Sequence, residues 1–166
     1  MDPRATPLHA ILRLNSRLLL NCFEGMDETT ARQRPNARTN SAAFLACHLI
    51  DSRHYLLSLL GRLGENPVAR FVGSARSIDD VGALPPLADV RAAWRSVSTT
   101  LEACLAELSD AELTAPSPQR FPVEDRSLLG AVAFLLQHES YHVGQLALIR
   151  KYFGLPAMSW RTTVPG

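Results

Sequence analysis

His138 and His142 are the two residues of this sequence whose types and spacing most directly suggest chemistry. They lie within residues 128–152, where the recurrence of apolar residues predicts one long helix. Four residues turn a helix through about 400°, so the two imidazoles face the same side, about 6 Å apart along the axis. One metal ion can therefore bind to both rings. Residues 138–142 also spell H-E-x-x-H, the signature of zinc metalloproteases.

A zinc protease needs a third ligand, and the sequence after His142 does not supply one. That ligand is a downstream Glu, Asp or His in this class of enzyme, and no residue of these three types follows His142. Gly144 comes two residues after His142, whereas the longer protease motif has its glycine at the third position. We therefore reject the protease interpretation and look for the third ligand upstream.

Three histidines precede the pair, at positions 9, 48 and 54. His48 lies on the apolar stripe of a second helix predicted over residues 40–60, whereas His54 is nearly opposite it and is expected to face solvent. His9 is expected near the end of its helix. A single histidine on an apolar face is more often a core residue than a ligand, so His48 is a hypothesis. A site of three histidines would leave a fourth position open, as in catalytic zinc sites.

Three neighbours of the histidine pair are candidates for further roles. Glu139 is about 100° round the helix from His138. It is interpreted as a general base, as a partner of a ligand, or as a surface charge, and the last two readings are favoured. Gln145 lies on the side of the two histidines, where it can orient a bound ligand or water, or else bond across a helix interface. Tyr141 is expected to line the mouth of the site or to belong to the core.

Helical periodicity predicts four long helices that position these residues. They extend from Thr6, as N-cap, to Gly25, from residue 40 or 41 to Leu60, over about 88–108, and over 128–152. We find no alternation typical of strands. The predicted fold is all-α, a four-helix bundle with one core. Trp94 and Trp160 are expected to be packing residues, and the tail that holds Trp160 is expected to pack on the bundle.

Residues 61–86 form a long connection between the second and third helices, and glycines and prolines interrupt any pattern there. A connection of this length is often functional, for example as a lid over a site. The alternative is a crossover between two parallel helices of the bundle. We favour the crossover.

Size and composition predict a single domain over residues 1–166. A formal net charge of +1 gives no electrostatic reason to expect nucleic acid or an anionic membrane as a partner. No apolar run reaches the roughly 18 residues that a membrane-spanning helix needs, and the first residues do not resemble a signal peptide. The three cysteines are scattered, which predicts reduced, buried thiols in a cytoplasmic protein.

The chain resembles the DinB/YfiT-like superfamily in two segments, HESYHVGQLALIRKYFG and AFLACHLIDSRHYLL, and in the interval of ninety residues from His48 to His138. The H-x-x-x-H-x-x-Q pattern that starts at His138 is the most specific part. The resemblance implies a four-helix bundle, often a homodimer, with a divalent metal held by three histidines. Those positions are His48, His138 and His142.

Characterised members of that superfamily suggest which activities to expect. They include metal-dependent transferases that use bacillithiol, mycothiol or glutathione, and a maleylpyruvate isomerase. The resemblance therefore implies an enzyme that acts on small electrophilic substrates by thiol transfer or hydrolysis, with a low-molecular-weight thiol as a candidate cofactor. Imidazole ligands suit Zn²⁺, Ni²⁺, Fe²⁺ and Mn²⁺ alike. The alternative is a non-catalytic bundle that binds a metal or small ligand, or serves mainly as a dimerisation module.

Overall fold

The structure is a computed structural model that describes residues 2–73, 75 and 77–161. Within these residues, pairing of extended backbone is limited to one isolated bridge between Pro116 and Ser127. The described helices are α1 (Thr6–Cys22), α2 (Glu28–Arg32), α3 (Ala42–Leu59), α4 (Ala69–Val72), α5 (Leu87–Glu107), α6 (Asp110–Thr114) and α7 (Leu128–Tyr152), and a 3₁₀ turn covers Ile78–Asp80. The predicted all-α class is confirmed.

The two helices that carry the candidate ligands begin and end at residues suited to those positions. The side chains of Ser41 and Ser127 each accept a hydrogen bond from a backbone N–H in the first turn, of α3 and α7 respectively. Gly61 and Gly154, just beyond the two helices, have φ angles of 70° and 78°. Residues with a side chain rarely adopt this left-handed conformation, so glycine allows the chain to turn away there.

The start of α1 differs from the prediction. Thr6 lies inside the helix, and Ala5 is the N-cap without a side-chain hydrogen bond. The reason is that residues 2–5 already form a turn, closed by a bond from the Ala5 N–H to the Asp2 carbonyl (3.0 Å), which continues directly into the helix.

The four long helices share one hydrophobic core, because α1 and α3 each pack against both α5 and α7. Trp94 is fully buried in this core, and its indole N–H donates to the Ser16 carbonyl at 2.9 Å. The expectation for Trp160 was wrong, since this residue is 67% exposed. The C-terminal tail is attached by its backbone instead, through a bond from the Asn21 side chain to the Ser159 carbonyl (2.7 Å).

The connection between α3 and α5 contains more regular structure than its sequence suggested, namely α4 and the 3₁₀ turn. Polar contacts attach it to the rest of the protein. Asn66 donates to the Asp51 carboxylate on α3 at 2.7 Å, and Asp79 pairs with Arg34 at 2.6 Å. The helical turns were missed because they are only three and four residues long, too short for a periodic pattern.

All three cysteines are free and buried, as predicted. Burial raises the pKa of Cys22 and of Cys47 to about 12. Cys47 is adjacent to His48 in sequence but lies inside the core, fully enclosed. These two thiols therefore stay protonated at neutral pH and act as small apolar side chains.

Candidate metal centre

Three imidazole rings from two helices meet at one point of the structure. His48 comes from α3, and His138 and His142 come from α7, one helical turn apart. The Nε2 atom of His138 lies 3.3 Å from Nε2 of His48 and 3.1 Å from Nε2 of His142. One nitrogen from each ring lies within 4.8 Å of the others. The third candidate ligand proposed from the apolar stripe of α3 therefore reaches the pair on α7.

The spacing of the nitrogens fits a common metal ion. A tetrahedral ion with metal–nitrogen distances of about 2.0–2.1 Å separates its nitrogen ligands by about 3.3 Å. The two nitrogen pairs measured at His138 have separations close to this value. Since imidazole is a preferred ligand of several first-row divalent ions, the donor set fits such an ion.

Gln145 fixes which nitrogen of His142 is available to a metal. Its side-chain oxygen lies 2.6 Å from Nδ1 of His142. An amide oxygen only accepts hydrogen bonds, so Nδ1 carries the proton and Nε2 presents its lone pair to the cluster. The amide nitrogen of Gln145 donates in turn to the hydroxyl of Tyr141 at 3.1 Å. The sequence indicated the side on which Gln145 lies, and the structure identifies its partners.

His48 and His138 have surroundings different from those of His142. His48 stacks on Phe44 and His138 stacks on Phe134, with ring centroids 6.3 and 6.4 Å apart. In the described part of the chain, Nδ1 of His138 is buried without a hydrogen-bond partner. Tyr141, by contrast, is 59% exposed and its ring lies 5.2 Å from that of His142. This position agrees with the mouth of the site and excludes the core.

Burial keeps the three rings neutral at physiological pH. Burial first, and then the proximity of His142 and His138, lower the pKa of His48 from 6.5 to about 4. Burial also lowers the pKa of His138 and of His142, although the bond to Gln145 acts in the opposite direction on His142. Because only neutral imidazole binds a metal, the site presents its ligands without first losing protons.

The lowered pKa of His48 predicts how the stability of the metal-free protein depends on pH. Below pH 6.5 the unfolded chain binds a proton at this residue, and the folded protein does not until about pH 4. The free energy of unfolding is therefore expected to fall as the pH drops through this range, with up to about one proton taken up on unfolding through His48. Urea unfolding at several pH values measures the slope. A His48→Gln variant should have a shallower slope, and equal slopes would contradict the prediction.

Glu139 lies in the interior, which makes its interpretation as a surface charge wrong. It is 3% exposed, and its two carboxylate oxygens accept hydrogen bonds from Nε and Nη2 of Arg53 at 2.6 and 2.8 Å. Arg53 is 2% exposed, stacks on the Trp94 ring at 3.6 Å and donates to Ser98. The ion pair joins α3 to α7 beside the histidines.

Arg53 was missed in the sequence, although a signal for it exists. It lies four residues after Leu49 and four before Leu57, and both leucines are buried. This spacing places the Arg53 side chain on the inner face of α3. A charged residue in such a position requires a buried partner of opposite charge, and the sequence does not identify which acid supplies it.

His9 and His54 do not belong to the cluster. His9 lies 3.9 Å from the carboxylate of Glu102 on α5. His54 is partly buried rather than fully exposed, and burial lowers its pKa. Neither residue is part of the group that can hold a metal.

The fold and the site define the class of protein: an all-helical chain with three converging histidines that could hold a metal ion. The model of the DinB superfamily matches residues 11–146. The chain belongs to that superfamily, and the resemblance inferred from its two histidine segments is confirmed. No curated protein gives a significant match. No helix among the described residues is both long and apolar enough to cross a membrane.

Proposed function

We propose that this protein is a divalent-metal-dependent enzyme that acts on small electrophilic substrates, by transfer of a low-molecular-weight thiol or by hydrolysis. The observation that carries the proposal is the convergence of the three Nε2 atoms at spacings of 3.1 and 3.3 Å. Within the described residues, the group contains three ligands and no fourth His, Cys, Asp or Glu. A position for a thiol or water therefore remains, as in catalytic sites.

Each site residue would have a separate role. His48, His138 and His142 would hold the ion. A bound ion would lower the pKa of a thiol or water at the open position. Gln145, which bonds to Nδ1 of His142, would orient that ring, and the exposed Tyr141 would contact a substrate. Glu139 would hold α7 against α3 through its ion pair with Arg53 rather than act as a general base, because Arg53 binds both of its oxygens.

We infer that the chain is one domain over residues 1–166, a four-helix bundle in which residues 61–86 form a crossover. The support is the single core shared by α1, α3, α5 and α7. Three free, buried cysteines support a cytoplasmic location. A small-molecule substrate and a homodimer are the partners that superfamily membership suggests.

A non-catalytic protein that binds a metal or small ligand is the second candidate. One observation favours it: the acid of the H-E-x-x-H segment is engaged by Arg53 and is not available for proton transfer. Catalysis then depends on the metal and on the substrate's own reactivity, and only an activity assay separates the two functions.

Metal content is the decisive measurement. Protein purified without a His tag is expected to carry about one divalent ion per chain by elemental analysis, or to acquire one after chelation and incubation with Zn²⁺, Ni²⁺, Fe²⁺ or Mn²⁺. The loaded protein is then assayed with chlorodinitrobenzene and glutathione, bacillithiol or mycothiol. A chain that neither carries nor acquires metal contradicts the proposal, and a loaded but inactive chain favours the non-catalytic function.

A further inference from the structure

A cavity of about 350 Å³ opens beside the histidine cluster, between the C-terminal half of α7 and the loop of residues 35–40. Its volume lies within the range of small-molecule sites, about 300–1,000 Å³. Leu45 and Ile149 form its buried apolar floor, and Leu148 and Tyr152 form an exposed rim. Gln145 lines the same cavity and bonds to His142, so one end of the cavity adjoins the candidate metal centre.

Among the described residues that line this cavity, Arg38 is the one with a charged side chain at neutral pH. The neighbouring Arg34 is already occupied, because it pairs with Asp79 at 2.6 Å and donates to the carbonyl of Thr39 at 2.7 Å. Among the described residues, the guanidinium of Arg38 has no hydrogen-bond or ion-pair partner, although its backbone N–H donates to Asn36 at 2.8 Å. Arg38 is therefore free to bind an anion from solution.

The wall that carries Arg38 is held in place before any ligand binds. Thr39 bonds to Asn36 through both its backbone N–H (3.2 Å) and its hydroxyl (3.0 Å). The Tyr152 hydroxyl donates to the Pro35 carbonyl at 2.9 Å, which attaches the loop to the end of α7. A ligand that binds here does not have to order the loop first, so little affinity is lost to that step.

We propose that this cavity binds a small organic anion with an apolar body, such as a carboxylate or sulfonate. The anionic group pairs with Arg38, the body packs on Leu45 and Ile149, and the other end reaches Gln145 beside His142. The inference extends the proposed function by giving the chemical class of the substrate or cofactor, and it rests on that function for the ligand's role but not for its binding.

Binding of phenylpropionate and its neutral analogue phenylpropanol, measured by calorimetry on the whole protein, tests the proposal. The acid is expected to bind more tightly than the alcohol. Arg38→Gln should weaken binding of the acid by about tenfold or more, since a hydrogen bond to a charged group contributes about 1.5–3 kcal/mol, and should leave the alcohol unchanged. The chemical shift of the Gln145 side-chain amide, measured by nuclear magnetic resonance, should change when either probe binds.

Two further variants complete the test. Arg120→Gln removes an exposed arginine outside the cavity and should change neither affinity. Leu148→Asp, at the 69% exposed rim, should weaken the acid more than the alcohol, because it adds a like charge near the anion. The proposal is overturned if neither probe binds, if acid and alcohol bind equally, if Arg38→Gln has no selective effect, or if the Gln145 amide does not respond.

The outcome for the cavity is independent of the outcome for the metal. Chelated protein and His142→Ala protein are expected to retain binding of phenylpropionate, because neither change alters Arg38 or the apolar floor. Acid binding by a chain that neither carries metal when purified nor acquires it on incubation would refute the proposed function and leave the cavity assignment standing. Metal binding without acid binding would refute only the cavity assignment.

Discussion

His48→Ala is expected to abolish stoichiometric metal binding and to lower the affinity by more than about a hundredfold. Loss of a hydrogen-bond partner of a ligand alone costs about 10–100-fold in affinity, and loss of a ligand costs more. His48 is the one histidine of the cluster that comes from α3, so its removal leaves only the pair on α7. Competition with a chromophoric chelator measures the affinity, and elemental analysis measures the stoichiometry.

His54→Ala is the matched control for this substitution. It removes a histidine from the same helix that lies outside the cluster, so its metal content should equal that of the wild type. Gln145→Leu is expected to lie between the two, because it removes the partner of His142 Nδ1 and leaves all three ligands. Equal affinities in His48→Ala and the wild type would refute the three-histidine site.

Glu139→Gln is expected to lower the free energy of unfolding by about 3–5 kcal/mol, the cost of leaving a buried charge without its partner. The substitution keeps the size of the side chain but removes the charge that compensates Arg53, which is 2% exposed. The guanidinium of Arg53 is enclosed in this position, because it contacts Trp94, Ser98 and Glu139. Urea unfolding followed by circular dichroism measures the loss.

A double substitution separates the lost ion pair from lost packing. Arg53→Met combined with Glu139→Leu removes both charges and is expected to recover part of the stability, because apolar replacement of a whole buried pair is often neutral or stabilising. The folded fraction of Glu139→Gln should still bind about one metal ion per chain, because Glu139 is not a ligand. An unchanged free energy of unfolding in Glu139→Gln would contradict a structural role for the pair.

Two adjacent residues of α7 belong to different arrangements. His138 belongs to the cluster that could hold the metal, and Glu139 belongs to the ion pair that joins α7 to α3. In a zinc protease the acid of H-E-x-x-H is the general base. Here the same sequence of residues serves a different arrangement, because Glu139 turns into the interior where Arg53 binds it.

The positions of the four long helices and two of the three candidate ligands followed from local sequence alone. The periodic apolar residues gave α7 its boundaries, and the spacing of His138 and His142 placed them on one face, because helical geometry is fixed over a single turn. His48 was selected by its place on the apolar stripe of α3. That criterion gave its direction but not its distance from the other two rings.

The tertiary structure decided every contact between the helices. α7 packs against both α1 and α3, so it is buried over a wide arc and Glu139 faces inward although it is about 100° from His138. The partner of Arg53, the depth of His48 and the cavity beside Arg38 depend on how far each helix is rotated and shifted along its neighbour. Sequence periodicity gives the apolar face of a helix, but the atoms that meet across an interface are determined by side-chain packing in the whole fold.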